Sequence, residues 1–270
     1  MTTKHVDPEL MAVLAPAEHE DLAILIDIIT SNGEGRISLA SEVCEALVNA
    51  KKSGEIPPSA RTLIAEEIQK FGGNSLVNLF RGGAGVRFKE TVCDVADHVN
   101  ANYNEEQDVA QIESSILLKI VEKSLEKMTE EEKKKFFEEF GVNYQGGGPA
   151  SMAALIAAIR LSGFAAYKLT TIVAQAVAKA IVGRGLSFGA TAGLMRGVSV
   201  FAGPIGWAIT GIWTAFDLAS PAYRVTVPCV IQIAYMRQKA QSIQCPACSA
   251  PATKGAKFCS ECGHSLTPTA

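Results

Sequence analysis

The sequence predicts an all-α protein, and three observations carry that expectation. Apolar residues recur at the 3.6 period of a helix in one segment after another. Period-two alternation is almost absent before residue 243. The breaks between periodic segments fall at Gly, Pro and Asn clusters of the kind that stop helices. The expected architecture is a multi-helix bundle with a glycine-rich hydrophobic helical hairpin. It ends in a small cysteine-bearing ribbon, which should hold the strands.

Asp7 to Leu14 reads as a short helix and Glu18 to Thr30 as a longer one, with Leu22, Leu25, Ile26 and Ile29 on one face. Asn32-Gly33-Glu34-Gly35 ends it, and Ser38 to Ala50 is the third helix. After a loop at Gly54 to Pro58, Ser59 is placed as the N-cap of a helix that stops before Gly72-Gly73. Asn74 caps the next helix, which runs through Arg81 to a break at Gly82-Gly83. Phe88 to Asn100 puts Val92, Val95, Ala96 and Val99 on one face, and Val109 to Met128 forms a long helix. Thr129 and Glu132 have capping-box spacing, opening a helix that presents Phe136, Phe137 and Phe140 and ends at Gly141. Gln145 to Pro149 reads as a linker. Ser151 to Phe216 is almost entirely Ala, Gly, Leu, Ile and Val. Ser220-Pro221 has N-cap and N1 chemistry, and Pro228 is expected to kink or restart a last helix that runs to about Ser242.

Charge divides the chain further. Net charge is −3 over 270 residues, but the halves differ. Residues 1–150 carry 15 Lys and Arg against 26 Asp and Glu; residues 151–270 carry 10 against Asp217 and Glu261 alone. We therefore expect an acidic helical domain at 1–144, a Gly-rich linker at 145–150, a basic, Ala/Gly-rich apolar helical domain at 151–243 and a ribbon at 244–264. A basic apolar segment implies an anionic neighbour, either acidic lipid or the acidic half itself. Met1 to Glu9 is polar, so no secretory signal is expected.

The tail carries the strongest chemical signal. Cys245 and Cys248 form one C-x-x-C pair, and Cys259 and Cys262 form a second. Each pair sets two thiolates on one tight knuckle, and two knuckles complete a tetrahedral zinc site. Four thiolates leave no open position, so Zn²⁺ here would be structural. The segment resembles short bacterial zinc ribbons, except that Ser249 stands where such ribbons usually have Gly. Phe258 would cover the metal, and His264 is surplus to the ligand set. Lys254 and Lys257 are the basic residues of the tail and Phe258 its aromatic, too few for nucleic acid. A protein partner docked through the ribbon fits better. The remaining cysteines, Cys44, Cys93 and Cys229, read as small buried apolar residues in a reducing compartment.

Gly185, Gly189, Gly193 and Gly197 stand four apart, which places them on one stripe of a helix. Glycine inside an exposed helix costs about 1 kcal/mol relative to Ala, so the stripe implies close helix packing, in lipid or within a bundle, and offers a contact for a homo-oligomer. Residues 197–216 carry no charge and are long enough to cross a bilayer, either straight or bent at Gly203-Pro204. Upstream, Arg160, Lys168 and Lys179 share one side of a helical wheel and would face an anionic membrane surface. A central hairpin buried in a soluble bundle is the alternative. The Gly-rich turns at Phe71 to Asn74 and Arg81 to Gly85 lack the Gly-Lys-Ser/Thr of a phosphate loop and read as helix caps. No nucleophile elbow, His-Glu-x-x-His motif or catalytic cysteine pattern occurs, and His5, His19, His98 and His264 are scattered.

Several stretches resemble the YaaW-like bacterial proteins. They are Ile64 to Asn74, Phe80-Arg81-Gly82, Cys93-Asp94-Val95, Glu126 to Thr129, Phe201 to Trp207 and Pro221 to Pro228. The likeness spans about residues 6–240, with the zinc ribbon as an addition. The resemblance implies a helical bacterial protein, cytoplasmic or peripheral to the inner membrane, and brings no activity with it. Such proteins are grouped distantly with ubiquinol–cytochrome c chaperones. The reading that follows is a non-enzymatic amphitropic protein that associates with or inserts into membrane through the glycine-rich segment and docks a partner through its ribbon. The competing reading is a soluble chaperone or assembly adaptor for membrane-protein clients.

Overall fold

The computed structural model describes residues 6–36, 38–73, 85–146, 148–183, 201, 203–206, 211 and 222–266. Among them the chain forms α1 (Pro8–Leu14), α2 (His19–Thr30), α3 (Ser41–Lys52), α4 (Pro58–Gly72), α5 (Phe88–Val99), α6 (Val109–Leu125), α7 (Glu130–Glu138), α8 (Pro149–Leu161), α9 (Gly163–Val182), α10 (Tyr223–Ala240), β1 (Ser242–Gln244) and β2 (Pro251–Thr253). The fold is all-α apart from the antiparallel β1–β2 pair.

Local chemistry sets most of the helix ends. Asp7 caps α1, its carboxylate accepting from the N–H groups of Glu9 and Leu10, with Pro8 at the first position. α2 stops where Ser31 and Asn32 turn left-handed before Gly33. Thr129 and Glu132 form the predicted capping box of α7. Other ends differ from expectation. α4 begins at Pro58, because proline at N1 already has a helical φ, so Ser59 lies inside the helix instead of capping it. The apolar run after Ser151 is broken at Ser162, which is extended (φ −127°, ψ 114°) and caps α9 by accepting from Ala165 N–H. Uniform apolar character hid that elbow. Pro228 neither splits nor restarts a helix: α10 runs through it. Residues 203–206 are helical, so Gly203-Pro204 is not the bend of a hairpin. The expected helix at Asn74 to Arg81, the Ser220-Pro221 cap and most of the 197–216 stretch lie outside the described residues.

α10 is the centre of the molecule. Every residue from Val225 to Met236 is buried, as expected for a helix that is covered on all sides. It packs against α1, α2, α4, α5, α6 and α9, and α9 packs in turn on α2, α6 and α8. Helices from residues 1–144 and from 151–243 thus share one core, and the composition boundary at 145–150 is not a boundary in packing. Phe201 extends this core by meeting Phe136 edge-on at 5.1 Å. Among the described residues α9 is the one helix long and apolar enough to cross a bilayer, and 61% of its apolar window is buried inside the protein. Such burial is how a core helix meets the same length and composition test.

A helix covered on all sides needs partners for its polar groups. Arg237 forms a bidentate pair with Glu113 of α6, at 3.0 and 3.2 Å, and Glu113 is 2% exposed. Lys239 bridges Asp21 (2.8 Å) and Glu18 (2.7 Å). Gln232 donates to the Asp21 carbonyl at 3.3 Å. A second polar junction joins the N-terminus to α4 and α5. The Asp7 carboxylate accepts from Phe88 N–H at 3.0 Å as well as capping α1, Asp7 N–H donates to Gln69 Oε1, and Gln69 Nε2 donates to the Val86 carbonyl. Gly85 sits over this junction at φ +77°, where a Cβ would stand 2.9 Å from the Gln69 backbone. Arg61 closes the end of α1 by donating to the carbonyls of Leu14, Ala15 and Ala17.

α4 and α5 cross where Gly72 faces Thr91. A Cβ at Gly72 would collide with Thr91 Oγ1 and lie 2.9 Å from Thr91 Cβ, which cannot swing away. Helix propensity favours Ala over Gly, yet overpacking should win, so Gly72→Ala is expected to lower stability by about 1–3 kcal/mol in urea denaturation.

The Glu113–Arg237 pair predicts both a mutational and a pH effect. Removing Arg237 strands a buried carboxylate, so Arg237→Met should cost about 3–5 kcal/mol, and Glu113→Met/Arg237→Met should recover most of it. Burial raises the Glu113 carboxyl to about 7, with Arg237 pulling against it. The folded value lies above the ordinary 4.5, so the native state holds this proton more tightly. Stability at this site is therefore greatest below that ordinary value and falls as pH rises through about 7. Glu113→Gln should remove that slope from a series of denaturation curves taken across the same range.

Candidate metal centre

The tail starts where α10 ends. Gln241 turns the chain into β1, whose residues Ser242, Ile243 and Gln244 pair with Thr253, Ala252 and Pro251. The first knuckle follows β1 directly. Ser249 N–H donates to the Cys245 carbonyl at 2.8 Å, and Cys245 N–H donates to the Ala250 carbonyl at 2.9 Å. The second knuckle repeats the pattern, with Gly263 N–H on the Cys259 carbonyl at 2.9 Å and Cys259 N–H on the His264 carbonyl at 2.8 Å. Ser249 (φ 58°) and Gly263 (φ 72°) occupy the same left-handed position in the two knuckles. The departure noted in the sequence thus falls on the one position where glycine fits without strain.

The four sulfurs of Cys245, Cys248, Cys259 and Cys262 all lie within 4.8 Å of one another. Cys245 Sγ is 3.6 Å from Cys262 Sγ, and Cys248 Sγ is 3.7 Å from Cys259 Sγ. A tetrahedral ion with thiolate bonds of about 2.3 Å sets its sulfurs roughly 3.8 Å apart, so the spacing fits a four-coordinate metal. Backbone donors suit thiolates as well. The N–H groups of Cys248 and Ala247 point at Cys245 Sγ, that of Ala250 at Cys248 Sγ and that of His264 at Cys262 Sγ. Burial alone would raise the Cys245 thiol, but these donors hold it down to about 6. Cys245 and Cys259 are buried, whereas Cys248 and Cys262 are exposed. The cluster is complete without His264. Phe258 is 64% exposed and does not cover the site as expected.

The ribbon is seated on the helical body. β2 packs against α9, and a Cβ on Gly163 would collide with Thr253 Oγ1. Lys254 N–H donates to the Gln241 carbonyl at 2.8 Å. The other predicted residues scatter. Arg160 is exposed on α8, across the elbow from Lys168 and Lys179 of α9, so the three do not share one helix. Lys168 is turned into the protein, paired with Glu139, donating to the Glu139 carbonyl at 2.8 Å and lying 5.8 Å from the Phe140 ring centroid. Lys179 is exposed near the end of α9. Gly185, Gly189, Gly193 and Gly197 lie outside the described residues. Cys44 and Cys229 are buried and Cys93 is half-buried. Sequence reasoning missed the Glu113–Arg237 and Asp21–Lys239 pairs. Their signal was there: Glu113 shares a helix face with Val109, Ile116 and Leu117, and Asp21 with Ile24 and Leu25, so each carboxylate stands among apolar positions.

A family model described as ubiquinol-cytochrome C chaperone matches residues 61–231. A UPF0174 protein of Helicobacter pylori strain J99 is 39% identical over 230 residues, which cover 84% of this chain and 90% of that protein. A second UPF0174 protein of the same strain is 41% identical over 183 residues, 65% of this chain and 87% of its own. The UPF0174 protein YaaW of Escherichia coli K12 is 27% identical over 249 residues, 90% of this chain and 100% of its own. No solved structure matches.

Metal content tests the cysteine centre. The chain should bind one metal ion, read by elemental analysis after metal-replete expression. Cys245→Ser/Cys248→Ser should abolish it and leave the helical circular dichroism intact, because a ribbon this small depends on metal for its folding energy. Ser249→Gly relieves a left-handed serine and should slow metal loss to a chelator, with a gain of up to about 1 kcal/mol.

Proposed function

The chain belongs to the ubiquinol-cytochrome C chaperone family, and on that footing we propose that it acts, without catalysis, as an assembly chaperone or adaptor for membrane-protein clients. The family match carries the reading. It runs over residues 61–231, from within α4 into α10, so the likeness covers the packed centre of the bundle rather than a peripheral segment. The amphitropic reading has less behind it: among the described residues the one helix long and apolar enough to span a bilayer, α9, is mostly buried in the protein's own core, and most of the 197–216 stretch lies outside those residues. Contact with an inner-membrane surface then follows from where such clients assemble, and the bacterial cytoplasm is the compartment that suits free thiols in a four-cysteine centre. We take the metal to be zinc in a structural role, since four thiolates leave no coordination position for a substrate. The ribbon, whose described residues are mostly exposed, serves to dock a protein partner.

The decisive measurement is made in cells. Deleting the gene should lower the amount of assembled ubiquinol–cytochrome c complex in the membrane severalfold, and restoring the wild-type chain should recover it. An unchanged level, with no client trapped by crosslinking of the tagged chain, would refute the chaperone reading.

A further inference from the structure

The junction between ribbon and body encloses a feature that the metal does not explain. A cleft of about 280 Å³ lies between α6, the α8–α9 elbow, the end of α10 and β2. Its polar lining comes from Ser114, Arg160, Tyr167, Gln238, Gln241, Ser242 and Thr253, and no carboxylate lines it. Among the described residues, the side chains of Arg160, Ser114, Gln238 and Gln241 have no hydrogen-bond or ion-pair partner in the protein. The buried carboxylates beside α10 are paired already: Glu113 with Arg237, and Asp21 with Lys239. Arg160 is left as the one cation of the cleft, with amides and hydroxyls around it. Apolar surface is present as well, from Ile159 and Pro251, and the neighbouring Leu161 is 87% exposed.

We propose that this cleft binds an extended peptide segment bearing one acidic side chain. Arg160 would receive the carboxylate through its planar guanidinium, which is built for bidentate pairing. The glutamine amides and the serine hydroxyl offer donors and acceptors to the peptide backbone, and Ile159 and Pro251 offer apolar surface beside the charge. A free small anion would use Arg160 and leave the amides and the apolar surface unused; the mixed lining of an open cleft suits a chain. β2 forms one wall, so metal in the ribbon shapes the site. This inference rests on the chaperone reading, which requires a surface for unassembled polypeptide.

The test uses the full metal-loaded chain, labelled with ¹⁵N, and two capped five-residue peptides of alanine and leucine with a central glutamate or a central glutamine. The glutamate peptide should shift the amide signals of Ser114, Gly163 and Thr253 and bind about tenfold more tightly than its glutamine analogue, the difference one charge-assisted pair makes. Arg160→Gln, a substitution at an exposed position, should keep the spectrum of the fold and erase the difference between the two peptides. Cys245→Ser/Cys248→Ser should weaken both. Equal binding of the two peptides by the wild type overturns the proposal. So does binding of inorganic phosphate or of phosphatidylglycerol vesicles through Arg160 with no binding of either peptide, which would make the site an anion or lipid contact. Failure here with a positive gene-deletion result removes the cleft and leaves the chaperone reading standing. Peptide binding with a negative deletion result does the reverse.

Discussion

The burial of α10 on all sides is the constraint that organises this protein. Twelve consecutive residues, from Val225 to Met236, have no solvent-facing side. Such a helix cannot be amphipathic, and its surroundings must be built to cover it: α2 and α9 along much of its length, α1, α4, α5 and α6 around the rest. Because α10 comes late in the chain, nearly every contact it makes is distant in sequence. The early helices cannot complete their core until it arrives, which ties the order of the chain to a cooperative, late-closing fold.

Polar groups inside this core are placed so that none carries an unanswered charge. The C-terminal turn of α10 holds Arg237 and Lys239, cations that suit the negative end of a helix dipole. Each then finds a carboxylate from an early helix: Arg237 takes Glu113, and Lys239 takes Asp21 and Glu18. Buried pairs of this kind contribute little net stability, since desolvation offsets most of the attraction, but breaking one is expensive. Their effect is to select an arrangement. A shift of α10 by one turn would leave both cations and three carboxylates unpaired. The acidic composition of the first half and the basic composition of the second, read from the sequence as a sign of different neighbours, is in part this internal matching.

Much of the scaffold was legible because it rests on local chemistry. The Thr129–Glu132 box, the stop of α2 before Asn32-Gly33 and the short helix after Asp7 depend on a few adjacent residues and need no tertiary information. The cysteine centre was legible for a similar reason: two C-x-x-C knuckles fix their own geometry. What the sequence hid depends on contact across the chain. The Ser162 elbow lies in an unbroken apolar run and exists because α8 folds back on α9. Lys168 looks like one member of a basic stripe until Glu139 and Phe140, from the other side of the supposed linker, are seen to claim it. Pro228 breaks a helix in isolation; inside a core that holds α10 from six sides, the missing hydrogen bond is tolerated. Composition likewise suggested two domains where packing makes one core.

The position of the metal centre gives the ribbon a role in the fold beyond its own few residues. β1 begins two residues after α10 ends, and the Lys254 N–H holds the Gln241 carbonyl, so the ribbon and the last turn of α10 are tied together. On the other side, Thr253 packs on Gly163 so closely that an added Cβ would meet its Oγ1, which sets β2 against the first turn of α9. A metal held by Cys245, Cys248, Cys259 and Cys262 would therefore act on two places: the end of the buried helix and the elbow that aligns α8 with α9. The body has its own core, which takes in no residue of the ribbon. The cleft between them does need the ribbon, since β2 is one of its walls. The fold of the ribbon and the shape of that surface are in this way a single structural variable, set at the end of a helix buried on all sides.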